Sequence, residues 1–337
     1  MKNIMILLII VQCLSACTSK KTEKKQYSRN NVVNVHNQVK EIKIDNVIIS
    51  RYSNVCLIDK YLLISDSKSL DKIIHIFNKN TYKYIKSIGQ QGPGPKEITN
   101  IGYLSTDEIN KKIYVPDCGK LKIYRFDLDS ALTCSNYTPP VFMNMNKKAF
   151  PSEYVYLNDT LSIGIMIKPT GNSGYNEEVV RLNFKSGKVV PLKYIQPDII
   201  KKRVCFAVCP KDNQYVECYY HNDLMTITDL YGNLKYNIYG PGWKKQNNYN
   251  NHFQFYYRVS FCRDKIIAGY SDGKFRDNGY CLPTKFLVFN KDGDYIKTLE
   301  AGYSIADFIY DKDNNRIIMQ LNDAYIQFAY LDLDGLL

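Results

Sequence analysis

A polar turn rich in Asp, Asn and Lys, flanked on each side by a short apolar strand, recurs six times along the chain. The turns are Asp59-Lys60, Asn110-Lys111-Lys112, Asn158-Asp159, Lys211-Asp212-Asn213, Arg263-Asp264-Lys265 and Asp311-Lys312-Asp313-Asn314-Asn315. Counted from Asp59 through Lys111, Asn158, Asp212, Arg263 and Asp313, the steps are 52, 47, 54, 51 and 50 residues. A unit of about 40 to 50 residues that cannot bury its own faces stacks against its neighbours, and at this length it is a propeller blade. The pattern therefore predicts an all-β fold, a six-bladed β-propeller with blades of four antiparallel strands.

Strands expected before the turns are Val55 to Ile58, Ile101 to Leu104, Tyr154 to Leu157, Val204 to Val208, Tyr257 to Phe261 and Ala306 to Tyr310. A second strand follows each turn, and a third ends in a further polar turn such as Asn78-Lys79-Asn80, Asp127-Leu128-Asp129 or Asn290-Lys291-Asp292-Gly293. Asp, Asn and Gly suit these positions because tight hairpins need positive φ or a side chain that caps its own backbone. The 29 Tyr fit the half-wet faces of many short strands. The sixth unit reaches Leu337 without a fourth strand, while Val39 to Ile44 alternates apolar and polar residues ahead of the first unit. An N-terminal strand is therefore expected to complete the last blade and close the ring, which removes a free sheet edge.

The N-terminus reads differently. Lys2, the apolar run from Ile4 to Val11 and the small residues before Cys17 make a secretory signal, too short to span a membrane. Leu14-Ser15-Ala16-Cys17 resembles a bacterial lipobox, which implies a signal peptide over residues 1–16 and a lipid on Cys17. Residues 17–30 are expected to be a flexible basic tether and residues 31–337 the propeller. Loss of Lys2 takes the formal charge from +12 to +11, and the four Lys, one Arg and one Glu of residues 18–30 carry +4 of that. The basic residues are dispersed, so the charge favours a membrane surface over nucleic acid. A basic rather than acidic run after Cys17 favours the periplasmic side of the outer membrane over surface display.

The segment Ile88-Gly89-Gln90-Gln91-Gly92-Pro93-Gly94-Pro95-Lys96-Glu97-Ile98 is similar to the Gly-x-Gly-Pro-Gly-Glu-Phe loop of NHL-repeat proteins, with one echo in Tyr239-Gly240-Pro241-Gly242-Trp243. Over residues 31–337 the chain resembles the six-bladed, TolB-like propeller lipoproteins of Bacteroidetes-type bacteria. The resemblance implies a fold and supplies no catalytic motif. Lys96 and Ile98 depart from the loop pattern.

Motifs for chemistry are sparse. Gly269-Tyr270-Ser271-Asp272-Gly273 matches a nucleophile elbow in letters only, because polar, loop-like sequence follows it and the last histidine, His252, lies upstream. His36, His75, His221 and His252 show no metal-ligand spacing, and Asp311 to Asn315 lacks the Gly and Glu of a calcium loop. The central channel leaves room for calcium, and no other cofactor is implied. Of the cysteines beyond Cys13 and Cys17, free thiols are expected, with Cys118, Cys134 and Cys281 the better bridge candidates. The long connections Gly240 to Tyr256, Ser271 to Lys285 and Lys168 to Glu178 should emerge on one face, offering Trp243, Tyr249, His252, Arg276 and Tyr280 as ligand-face candidates. The leading expectation is a non-catalytic, lipid-anchored propeller that binds a protein, peptide or glycan. The alternatives are a metal-dependent lyase or lactonase using the channel, and a sensor coupled to a membrane partner.

Overall fold

A computed structural model describes residues 22–172, 174–244, 253–274 and 281–337. Six sheets, each built on four antiparallel strands, form the six blades of a β-propeller. The first strands of neighbouring blades touch one another, so they line the axis. Second strands sit deepest between stacked blades and are buried on both faces, as in Tyr61–Asp66 and Arg316–Leu321. Such strands read as continuous apolar runs, and each fully buried side chain such as Leu62, Leu63 or Ile64 contributes about 1.5–3 kcal/mol. The fourth strand of blade three, Lys188–Pro191, is exposed throughout.

The repeating turn has a conformational cause. Asp59, Lys111, Asn213, Arg263 and Asn315 all have positive φ, between 46° and 53°, at the same place in five blades. Asp and Asn tolerate that region best. The third-to-fourth turns are capped by their own side chains, with Asn78 Oδ1 accepting from Asn80 N and Thr81 N and Asn290 Oδ1 accepting from Asp292 N and Asp294 N. In blade two the expected turn at Asp127-Leu128-Asp129 is instead the start of a helix, Leu128–Thr133. Asp127 caps it through Ser130 N, and Leu128 and Ala131 bury its inner face. The first strand of that blade also lies further along than expected, at Ser105–Asp107, with Ile101 left as a single bridge to Asp117.

Lys40–Glu41 pairs antiparallel with Phe328–Asp332, so an N-terminal strand completes the last blade as the spare segment suggested. The segment before it corrects the expectation of a free tether through residue 30. Glu23–Lys25 adds a fifth, parallel strand to Leu234–Tyr239 at the outer edge of blade four. Val32–Asn34 does the same against Tyr295–Glu300 in blade five. This strap carries little apolar pattern because its pairing comes from the backbone, and it covers two sheet edges. Lys24 fastens it by a 2.7 Å ion pair to Asp294 while lying 4.1 Å from the Tyr236 ring. Cys17 and residues 1–16 lie outside the described residues.

Candidate functional site

Within each blade the strands alternate in direction, so first-to-second and third-to-fourth turns share one face, and second-to-third and inter-blade connections share the other. The first face is laced by lysine pairs: Lys291 with Asp212, Lys111 with Asp129 at 3.1 Å, and Lys312 with Glu108 at 2.5 Å. The second face holds, at the rim of blades four and five, two adjoining cavities.

The larger cavity, about 530 Å³, lies between the strap and the connection that leaves blade four. Tyr27, Tyr239 and Trp243 supply its aromatic surface, and Glu23, Lys25, Asp198 and Lys244 its charges. Trp243 N donates to Gly240 O at 3.1 Å, and the indole meets Tyr239 edge-on with ring centroids 4.8 Å apart. Tyr27 is 88% exposed at the opening. The second cavity, about 280 Å³, shares Pro241 with the first and reaches inward past Arg29, Tyr270 and Glu300.

A buried carboxylate organises both. Asp223, wholly inaccessible, accepts from Gly242 N at 2.8 Å, Tyr270 Oη at 2.9 Å and Tyr256 Oη at 3.2 Å. Its fourth partner is Arg29 of the strap, whose Nη2 stands 3.0 Å away. A Cβ on Gly240 would fall 2.1 Å from Asp223 Oδ1, so only glycine lets the carboxylate in. The earlier loop wraps a carboxylate the same way, with Gly94 N donating to Glu97 Oε2 at 2.7 Å. Burial opposes the charge on Arg29, yet Tyr256, Asp223 and Tyr270 hold its pKa above the usual arginine value.

The axis carries a second ionic centre. Arg258, from the first strand of blade five, donates through Nε to Asp307 of blade six at 2.6 Å and through Nη1 to Glu153 of blade three at 2.5 Å. Its guanidinium lies 4.3 Å from the Tyr103 ring of the connection into blade two. Asp307 Oδ2 also accepts from Val55 N of blade one at 2.9 Å. One side chain thus ties together strands from opposite sides of the ring. Near it, Glu177 is pushed up by burial against the pull of Arg203, which stacks 3.9 Å over Tyr175.

Of the sequence candidates, Trp243 lines the larger cavity; Tyr249, His252, Arg276 and Tyr280 lie outside the described residues. Ser271 continues the strand Lys265–Lys274 and donates to Gln254 O, so the strand-to-helix turn of a nucleophile elbow is not formed there. Asp311 is buried against Lys79 at 3.3 Å and Arg316 at 3.1 Å, which answers its charge with cations of the protein. All eight cysteines among the described residues are free, Cys118, Cys134 and Cys281 included. Burial pushes Cys56 up to about 12 and Cys118 up to about 11, which keeps both as thiols.

Comparison with known proteins agrees with the architecture. A model of the DUF5128 family, described as a 6-bladed beta-propeller, matches residues 25–163. The fold of the whole described chain is a six-bladed β-propeller. No curated protein matches the sequence. A DUF4221 family member from Bacteroides vulgatus superposes with a TM-score of 0.58 at 10% identity, over 87% of this chain and 95% of its own. A luciferin-regenerating enzyme gives 0.57 at 8% identity, over 87% and 94% of the two chains. Regucalcin, a calcium-binding protein from Agrobacterium tumefaciens, gives 0.56 at 7% identity, over 89% and 95%. At such identities the likeness is one of fold.

Proposed function

We propose that the chain is a lipid-anchored, non-catalytic propeller of the cell envelope that binds a peptide or glycan chain in the Trp243 cleft. The carrying observation is the cleft itself, about 530 Å³, with aromatic surface from Tyr27, Tyr239 and Trp243 beside carboxylate, amide and ammonium groups. Apolar walls with a few placed polar groups are the usual make-up of a ligand site, and flat rings suit both sugar faces and peptide side chains. Loss of the Trp243 ring should weaken retention on glycan and peptide panels by roughly 30-fold.

The enzyme alternative draws on the folds shared with a luciferin-regenerating enzyme and a calcium-binding regucalcin. In this chain Arg258 engages Glu153 and Asp307, two carboxylates at the axis that a channel cation would need. A guanidinium between them repels a divalent ion, which favours the binding reading.

The anchor follows from Leu14-Ser15-Ala16-Cys17. Because the strap is already paired at Glu23, the leash from Cys17 to Thr22 is only five residues and reaches about 18 Å at full extension. The rim of blade four is then held close to the bilayer, on the periplasmic side. Metabolic acyl labelling should mark the chain and disappear in Cys17→Ala, and the anchored chain should resist protease added to intact cells. Labelling that survives Cys17→Ala removes the anchor from this reading.

A further inference from the structure

Arg29, which lines the smaller cavity, carries a buried donor with no hydrogen-bond partner among the described residues. Arg29 is spent on three sides: Nε donates to Gln26 Oε1 at 3.0 Å, and Nη2 reaches both Tyr256 Oη at 3.0 Å and Asp223 Oδ1 at 3.0 Å. Its Nη1 is buried and has no hydrogen-bond partner among the described residues. The side chain is 7% exposed and lines the cavity of about 280 Å³. An unanswered buried donor costs about 1–3 kcal/mol, more on a charged group. Asp223 does not relieve it, because that carboxylate is shared with Gly242 N, Tyr256 Oη and Tyr270 Oη as well. The guanidinium therefore keeps positive potential on the side of Nη1.

We propose that this cavity is a carboxylate subsite, in which Arg29 Nη1 receives an acidic group of the ligand whose body lies in the Trp243 cleft. The two cavities share Pro241, and the strap crosses both, with Gln26 in the larger one bonded directly to Arg29 in the smaller. The charged side chains that line the cavity are Arg29, Lys285 and Glu300, a net positive set that suits an acidic group. Thr298 and Tyr270 line the same space, with their hydroxyls already engaged, Tyr270 Oη with Asp223 and Thr298 Oγ1 with Tyr295 Oη. Arginine suits this task because one planar fork can hold two acceptors at once, here Asp223 and the ligand. The proposal rests on the Trp243 cleft for the rest of the ligand and stands by itself for the acidic group.

Calorimetric titration of the mature full-length chain with acetate against acetamide, and glucuronate against glucose, tests it. Acetate should bind and acetamide should not, and glucuronate should bind at least about tenfold more tightly than glucose. Arg29→Lys keeps a cation for Asp223 but removes the second nitrogen; it should fold, shown by an unchanged circular dichroism spectrum, and lose at least about tenfold in acetate affinity. Tyr231→Ala, on the opposite face, should leave acetate binding unaltered. Equal binding of acetate and acetamide, no binding of either, or an Arg29→Lys chain that binds acetate as the wild type does, overturns the subsite. If acetate titrates through Arg29 while no glycan or peptide is retained, the subsite stands and the wider binding reading falls.

Discussion

Arg258→Ala is expected to cost about 3–5 kcal/mol of folding stability, the loss that follows when one partner of a buried ionic group is removed. The arginine holds Asp307 at 2.6 Å and Glu153 at 2.5 Å, and the Asp307 side chain is 2% exposed. Without the guanidinium two carboxylates face each other at the axis, and the strands of blades three, five and six lose their common tie. Lys312→Ala is the internal control, since Lys312 and Glu108 are 62% and 48% exposed and such pairs contribute about 0–1 kcal/mol. Urea denaturation of both variants checks the contrast. Similar losses for the two would mean that the axial group is no more than another surface pair.

Removing Arg29 should have the next largest effect, about 3 kcal/mol. Asp223 would remain wholly buried with three neutral donors and no cation. The strap would also lose the stacking of Arg29 on Tyr270, whose ring lies 4.8 Å from the guanidinium. The value sits at the low end of the range because those donors already stabilise the carboxylate. Arg29→Ala combined with Asp223→Asn should be less destabilised than Arg29→Ala alone, since the second change removes the orphaned charge. A double variant that loses the sum of the two single effects would show that residues 29 and 223 do not act as a pair.

These two arginines mark the boundary of what is legible in the sequence. The blade count follows from local chemistry, because a residue with positive φ recurs at Asp59, Lys111, Asn213, Arg263 and Asn315, with Asp or Asn at three of the five and an adjoining Asn110 or Asp264 at the other two. Ring closure follows from counting strands. The strap does not, because Glu23–Lys25 is polar and becomes a strand only by lying against an edge already formed elsewhere. Asp223 reads as one more loop aspartate in His221-Asn222-Asp223; its role appears only when Gly240 and Gly242 from the next connection and Arg29 from the strap converge on it. A usable signal did exist. Asp66 and Asp117 close the second strands of blades one and two and accept backbone N–H groups from the preceding connections, at Ser50 and at Thr99 and Asn100. Asp223 shares with them the capture of a connection's N–H by a buried aspartate, but it lies four residues past the second strand of blade four and accepts from Gly242 N of the connection that leaves its blade.

Arg258, Glu153 and Asp307 left a comparable trace, since each is a charged residue inside a first strand, where a propeller faces its own axis. The helix Leu128–Thr133 was hidden by its cap, for Asp127 serves a turn and a helix start equally well. Trp243 was legible as an aromatic of the long connection Gly240 to Tyr256, and the structure packs it half-buried against the core cluster that includes Tyr239. Its neighbours in the cleft, Glu23 and Tyr27, were not, because they come from the far end of the chain.

Ligand binding in the cleft between strap and blade four is checked by comparing the mature wild-type chain with Trp243→Ala on immobilised glycan and peptide panels. The wild type should be retained by a defined set of ligands, and Trp243→Ala, still folded, should lose about 2 kcal/mol of binding, roughly 30-fold, toward that set. Retention of both chains with equal affinity would contradict it.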